Sequence, residues 1–124
     1  MTIQIDVTNQ KMRMTSNNKE IVAGTREFVK FQFNFSTDWS SLTVFAQFIQ
    51  NGTAYNKYLD SNYCCYLPAE IVSGNCNLLL YGTGNSTIAT SNYLTLKVVN
   101  NGYIGNATST QITQSLYQQL VNMV

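Results

Sequence analysis

Residues 29–35 read Val29-Lys30-Phe31-Gln32-Phe33-Asn34-Phe35: four large apolar side chains alternating with three polar ones. A period of two places Val29, Phe31, Phe33 and Phe35 on one face of an extended strand, whereas an α-helix would scatter them around its axis. The segment is therefore a half-buried β-strand, and its apolar face is expected to anchor the core.

The same period runs outward in both directions. Ile3, Ile5 and Val7 alternate with Gln4 and Asp6 as a short, edge-like strand. Lys11 to Met14 and Glu20 to Val22 are weaker strand candidates, separated by a turn at Ser16-Asn17-Asn18. Downstream, Leu42 to Gln50 carries Val44, Ala46 and Phe48 on one face, with Phe45 and Ile49 partly on the other. Asn51-Gly52 follows, a strong hairpin turn because both residues tolerate positive φ. Ala54 to Leu59 is the partner strand, Asp60-Ser61-Asn62 the next turn, and Tyr63 to Leu67 a short extended piece. Pro68 to Val72 breaks the period and reads as one helical turn or a bend, with Ser73-Gly74 able to end it. Strands resume at Asn77 to Tyr81 and Tyr93 to Val99, Tyr93 being either the first strand residue or its lead-in, and Gly82 to Thr87 forms a loop between them. Short strands punctuated by turn signals describe an all-β sandwich or small barrel. No long helical period separates the strands, which argues against a parallel α/β sheet.

After Val99 the pattern changes. Residues 101–109 read as a linker. Over residues 110–124, Ile112, Leu116, Leu120 and Met123 recur at helical spacing, and Tyr117, Val121 and Val124 widen the stripe. The other face carries only Gln, Thr, Ser and Asn. A helix of about fourteen residues is marginal alone in water. It must lie on the sandwich or pair with copies of itself, and a flexible linker with a stripe running to the last residue favours self-association.

Composition narrows the function. The 124 residues suffice for one core, so the chain divides into a sandwich (1–100), a linker (101–109) and an oligomerising helix (110–124). Only 10% of residues are charged, far below the about 25% typical of soluble domains. Neutral amides and hydroxyls supply the solubility, which suits a surface that packs against protein, or reflects a biased genome. Net charge is +1 with no basic run, so nucleic-acid binding is not expected. Apolar runs are too short to span a membrane, and Met1 to Asp6 lacks the basic and apolar regions of a secretion signal.

Chemistry is scarce. Histidine is absent, which removes the usual general base and the usual metal ligand. Cys64, Cys65 and Cys76 are an odd set, and a vicinal pair on a strand points to opposite faces; buried free thiols are expected over a disulfide or zinc. Asp6, Glu20, Glu27, Asp38, Asp60 and Glu70 are isolated in sequence, and Asp38, Asp60 and Glu70 suit backbone N–H groups in turns. Gly82-Thr83-Gly84 lacks the helix and lysine of a phosphate loop. No enzyme activity, metal or cofactor is expected. The tyrosines are open to three readings: ordinary strand packing, protein interface, or a sugar platform, with Tyr55, Tyr63 and Tyr81 the glycan candidates of an adhesin-like module.

Two stretches carry a resemblance. One is Phe31-Gln32-Phe33-Asn34-Phe35-Ser36-Thr37-Asp38-Trp39-Ser40-Ser41-Leu42, continuing through Ala46 and Phe48. The other is Cys65-Tyr66-Leu67-Pro68-Ala69-Glu70-Ile71-Val72, followed after a gap by Leu80-Tyr81-Gly82. Together, over residues 28–99, they resemble the immunoglobulin-like domain that opens many bacteriophage baseplate, tail-fibre and head-fibre proteins. Such domains carry an aromatic strand, then Ser-x-x-Trp-x-x-Leu, an Ala-x-Phe strand, and a Cys-x-Ile/Leu-Pro-x-Glu-Ile/Val turn before a strand ending in Gly. This chain departs from them at Thr43 and Val44, where the family often has a basic residue, and in the extra Cys64. The resemblance implies a single immunoglobulin-like antiparallel sandwich that docks on other virion structural proteins. It also implies a C-terminal helix that starts a coiled coil and gathers a homotrimer, in a virion made in the bacterial cytoplasm. The roles it implies are structural: Phe31, Phe33, Phe35, Trp39, Leu42 and Phe48 form the core, with Trp39 covering one end where the chain crosses between sheets. Ile112, Leu116, Leu120 and Met123 form the oligomer interface. Burying each large aromatic ring contributes on the order of 2–3 kcal/mol.

Overall fold

The computed structural model describes residues 1–16 and 20–102, which are all-β. Ten strands follow one another: β1 (Thr2–Thr8), β2 (Lys11–Met14), β3 (Ile21–Val22), β4 (Lys30–Phe35), β5 (Thr43–Gln50), β6 (Thr53–Tyr58), β7 (Cys64–Tyr66), β8 (Gly74–Thr83), β9 (Ile88–Thr90) and β10 (Leu94–Val99). They form two sheets. The first has the order β2-β1-β4-β7; the second has the order β3-β10-β8-β5-β6, with β9 also on β8. The expected helix over 110–124 lies outside the described residues, as do the candidate interface residues Ile112, Leu116, Leu120 and Met123.

The inward faces follow the period of two. Ile3, Ile5 and Val7 of β1 pack with Phe31 and Phe33 of β4, against Val44, Ala46 and Phe48 of β5 and Leu78 and Leu80 of β8. Phe31 and Phe48 meet across the sheets with ring centroids 5.5 Å apart. Phe31, Phe33, Trp39 and Phe48 are fully buried, whereas Phe35 and Leu42 are half-buried at the margin of the core. Phe35 is the last residue of β4, where the sheets part, so its ring closes the core's end against Trp39 and Tyr63.

The structure corrects or refines several local readings. The pairing is not wholly antiparallel: β1 runs parallel to β4, and β3 runs parallel to β10. Both parallel pairs arise because the chain leaves the first sheet after β2, touches the edge of the second as β3, and returns as β4. Residues 68–72 make one hydrogen-bonded turn and no longer helix. The N–H of Ile71 bonds the Pro68 carbonyl at 3.2 Å, but the N–H of Val72 is taken by the Gln50 side chain at 2.8 Å, so no helical ladder can continue. β8 is ten residues long, longer than the expected Asn77 to Tyr81, and β9 occupies a stretch where the sequence signalled no strand. Asn51-Gly52 is a two-residue hairpin with φ of 53° and 78°, the left-handed pair that such turns require.

β9 and β10 pair with the two ends of β8 and are separated by a kink at Ser91-Asn92-Tyr93. Ser91 exchanges bonds with Leu80, its N–H donating to the carbonyl at 3.0 Å and its Oγ accepting the Leu80 N–H at 2.9 Å. The kink turns Asn92 toward the first sheet, where its N–H donates to the Gln10 carbonyl at 2.8 Å and its Oδ1 accepts the Met12 N–H at 2.8 Å. The Gln10 amide donates to the Thr90 carbonyl at 3.0 Å. This side of the molecule is laced shut by the chain's own groups.

Candidate functional site

Three features stand out from the scaffold: the Trp39 end, the tyrosines, and a charged cleft between β6 and β7. The Trp39 end is structural. A single 3-10 turn (Thr37–Trp39) carries the chain from β4 in the first sheet to β5 in the second. The indole is buried, its N–H donates to the Asn9 carbonyl at 2.5 Å, and its ring lies 5.4 Å from Phe35. Gly82 lies beneath it: a Cβ there would sit 3.0 Å from the indole and 3.1 Å from Leu42. Asn9, with φ of 55°, also donates its N–H to Ser36 Oγ at 3.1 Å, and that hydroxyl bonds the Asp38 carboxylate. Residues far apart in sequence thus meet as one plug that closes the end of the core.

The three glycan candidates occupy three separate settings. Tyr55, on β6, is half-buried against the core. Tyr63 has φ of 60° and stacks edge-on against Phe35 at 5.2 Å on the first-sheet side. Tyr81, on β8, packs on Phe45 at 5.0 Å on the outer face of the second sheet. They do not converge on one platform. Instead Tyr81, Phe45 and Tyr58 form a cross-strand aromatic row over β8, β5 and β6, ending at Tyr58, which is 73% exposed.

The cleft was invisible in the sequence. About 660 Å³ in volume, it opens where β6 and β7, the neighbouring edge strands of the two sheets, diverge. Arg26, Lys30 and Lys57 line it together with Glu27, Asp60 and Glu70: three of the chain's seven basic side chains and three of its six acidic ones. They come from the loop before β4, from β4, β6, the β6–β7 turn and the bend after β7. No local run marks them, so only the fold brings them together.

Asp60 serves the fold. Its Oδ1 accepts the N–H groups of Asn62 at 2.9 Å and Cys64 at 3.0 Å, shaping the turn. Among the described residues, the other five charged side chains make no hydrogen bond or ion pair. In a chain so poor in charge, both signs gather in one place and remain unspent.

The cysteines beside the cleft are free and buried, as is Cys76. Burial pushes the Cys65 thiol up to about 12, with neighbouring Cys64 and Asp60 adding to the rise and Lys57 opposing it. Burial also raises Cys64, with Asp60 adding to that and Lys30 opposing it; its thiol donates to Gln32 Oε1 at 2.9 Å. Cys76 is pushed up to about 11 by burial, against a backbone hydrogen bond at Ile49 that lowers it. Thiols held in the protonated form are weak nucleophiles.

Opposite the cleft lies the chain's exit. Val99 pairs with Val22, the N–H of Ala23 donates to the Val99 carbonyl at 2.9 Å, and the Asn101 amide donates to the Ala23 carbonyl at 2.7 Å. Gly24, with φ of 82°, makes room for that amide, because a Cβ there would collide with it. β3 and β6 are the two outer strands of the second sheet, four strand spacings or about 19 Å apart. The chain matches no protein-family model and no curated protein.

Proposed function

We propose that this protein is a non-enzymatic structural module of a bacteriophage virion. Its immunoglobulin-like sandwich anchors a baseplate or fibre protein to other virion proteins, and residues 110–124 gather three copies. The observation that carries this reading is the division of the sandwich into two sides. One edge pins the outgoing chain at Val99 to Asn101, and the opposite edge presents charges of both signs that are unpaired among the described residues. An anchor needs that division: one side to hold the tail in a fixed direction, another free to meet protein.

The residues of the resemblance support it further, since Trp39, Leu42 and Gly82 meet in one plug although 43 positions separate Trp39 from Gly82. In this reading the body serves as a rigid plug, and the tail supplies valency. Sedimentation of the full chain tests the tail. The expected mass is at least three times the 13.9 kDa chain mass, falling when Leu116→Asp and Leu120→Asp are introduced together. A mass that ignores both substitutions removes the trimerising tail from the account.

A further inference from the structure

The alternation of β6 against β5 identifies which of its backbone groups are free. The Leu59 N–H donates to the Val44 carbonyl at 3.3 Å, and the register then pairs Ala46 with Lys57, Phe48 with Tyr55 and Gln50 with Thr53 in the same hydrogen-bonded phase. In an antiparallel ladder the intervening residues direct their N–H and C=O groups the other way. On β6 those are Ala54, Asn56 and Tyr58, and they face outward from the last strand of the second sheet.

This edge carries few of the devices that ordinarily discourage strand addition. The register is continuous, without a bulge, and the strand contains no proline. Its single charge is Lys57. At the other side of the molecule, by contrast, the N–H of Met12 on the edge strand β2 is capped by Asn92.

We propose that β6 is the docking edge for a second copy of this chain. The two β6 strands join antiparallel about a two-fold axis at Asn56, so that the second sheet runs unbroken through both copies. This goes beyond the trimerising tail and does not depend on it.

The register makes the proposal self-consistent. With Asn56 opposite Asn56 of the second copy, Ala54 faces Tyr58 and Tyr58 faces Ala54. All three pairs are of the hydrogen-bonded type, giving roughly six main-chain bonds. The exposed Tyr58 ring then covers the small Ala54 of the second copy. The row Tyr81–Phe45–Tyr58 gains an apolar continuation on the outer face. On the inner face, Lys57 lies opposite Tyr55 of the second copy, where an aromatic ring accommodates a cation. This turns the one charge that would guard the edge into a contact.

Charge points the same way. A two-fold axis sets a surface against itself, so a patch of one sign repels its own copy, while a patch holding both signs can place opposite charges across the axis. The flanking cleft carries three cations and three anions, five of the six unpartnered within the described residues.

The test uses the full chain carrying Leu116→Asp and Leu120→Asp, which silences the tail. Sedimentation of this variant over a range of concentrations should show a reversible monomer–dimer equilibrium. Adding Asn56→Pro, which deletes an outward N–H and no main-chain bond to β5, should weaken the dimer by at least about tenfold in Kd. Because proline can also perturb a fold, Asn56→Cys provides a second reading. Directly opposed hydrogen-bonded residues have Cα atoms about 5.5 Å apart, within disulfide reach. Mild oxidation should therefore cross-link Asn56→Cys into a covalent dimer far faster than Asn85→Cys, an exposed loop position away from this edge. A tail-silenced chain that stays monomeric at every concentration overturns the proposal, as does cross-linking no faster at 56 than at 85. A larger species in the parent chain that vanishes only with the tail substitutions would leave the tail reading standing and the edge proposal refuted.

Discussion

The two lateral edges of this sandwich are built on opposite plans. At the β2/β3 side the chain satisfies itself: Asn92 spans to Gln10 and Met12, Gln10 reaches Thr90, and Asn101 ties the departing chain to Ala23. At the β6/β7 side the sheets gape, outward backbone groups are left for solvent, and five of the six charged side chains have no partner among the described residues. Polar groups that close one edge contribute to stability, whereas those lining the other contribute little to it. The difference separates residues kept for the fold from residues free to serve contact.

Mutations can break or sharpen that contrast. The largest effect is expected where both sides depend on one element: Trp39→Ala empties the end plug and should cost about 3–5 kcal/mol in denaturant unfolding. Next comes Gln50, the buried amide behind the open side. Its Nε2 donates to the Val72 carbonyl at 2.7 Å and its Oε1 accepts the Val72 N–H at 2.8 Å. Gln50→Leu strips both partners and should cost about 2 kcal/mol, showing that the open edge is firmly backed even though its rim is free.

The thiols allow a test by pH. The Cys65 pKa is raised to about 12 in the folded state, against an ordinary value of 9.0 in the unfolded chain. The unfolded chain loses this proton first, so the contribution is intact below pH 9 and declines as pH rises from 9 toward 12. Stability should fall more steeply over that range in the parent chain than in Cys65→Ala, by up to about 1.4 kcal/mol per pH unit. Equal slopes would mean that the cleft floor is wetter than its packing implies.

On the closed side, Asn92→Ala removes the Met12 bond and should cost about 1 kcal/mol, measured by thermal or chemical unfolding. The smallest effects belong to the open side. Arg26→Ala, Lys57→Ala and Glu70→Ala should each change stability by less than about 0.5 kcal/mol. A loss comparable to that of Asn92→Ala would erase the distinction between the edges.

How much of this was readable in the chain depends on the range of the interaction. Strand identity was legible at Phe31 and Phe33 and at the Asn51-Gly52 turn, because period and turn chemistry are local properties. β9 was not, because Ile88-Ala89-Thr90 is too short to show a period and its pairing depends on the far end of β8. The parallel pairings of β1 with β4 and β3 with β10 escaped for the same reason: allocation of strands to sheets is decided by packing, not by any window of residues. The cleft was the least legible. Its charged residues are spread from Arg26 to Glu70, and each alone looks like an ordinary surface or turn residue. Tyr55, Tyr63 and Tyr81 look alike in the sequence, yet the fold sets Tyr55 and Tyr81 on different strands of the second sheet and Tyr63 beside Phe35 of the first.

The most direct test of the contrast is backbone amide exchange measured at low and high protein concentration. The amides of Ala54, Asn56 and Tyr58 should exchange rapidly when dilute and become protected as concentration rises, including in the Leu116→Asp/Leu120→Asp chain. The amides of Met12 and Ala23, already bonded within the molecule, should show the same protection throughout. Exchange at Asn56 that stays fast at every concentration would contradict the account.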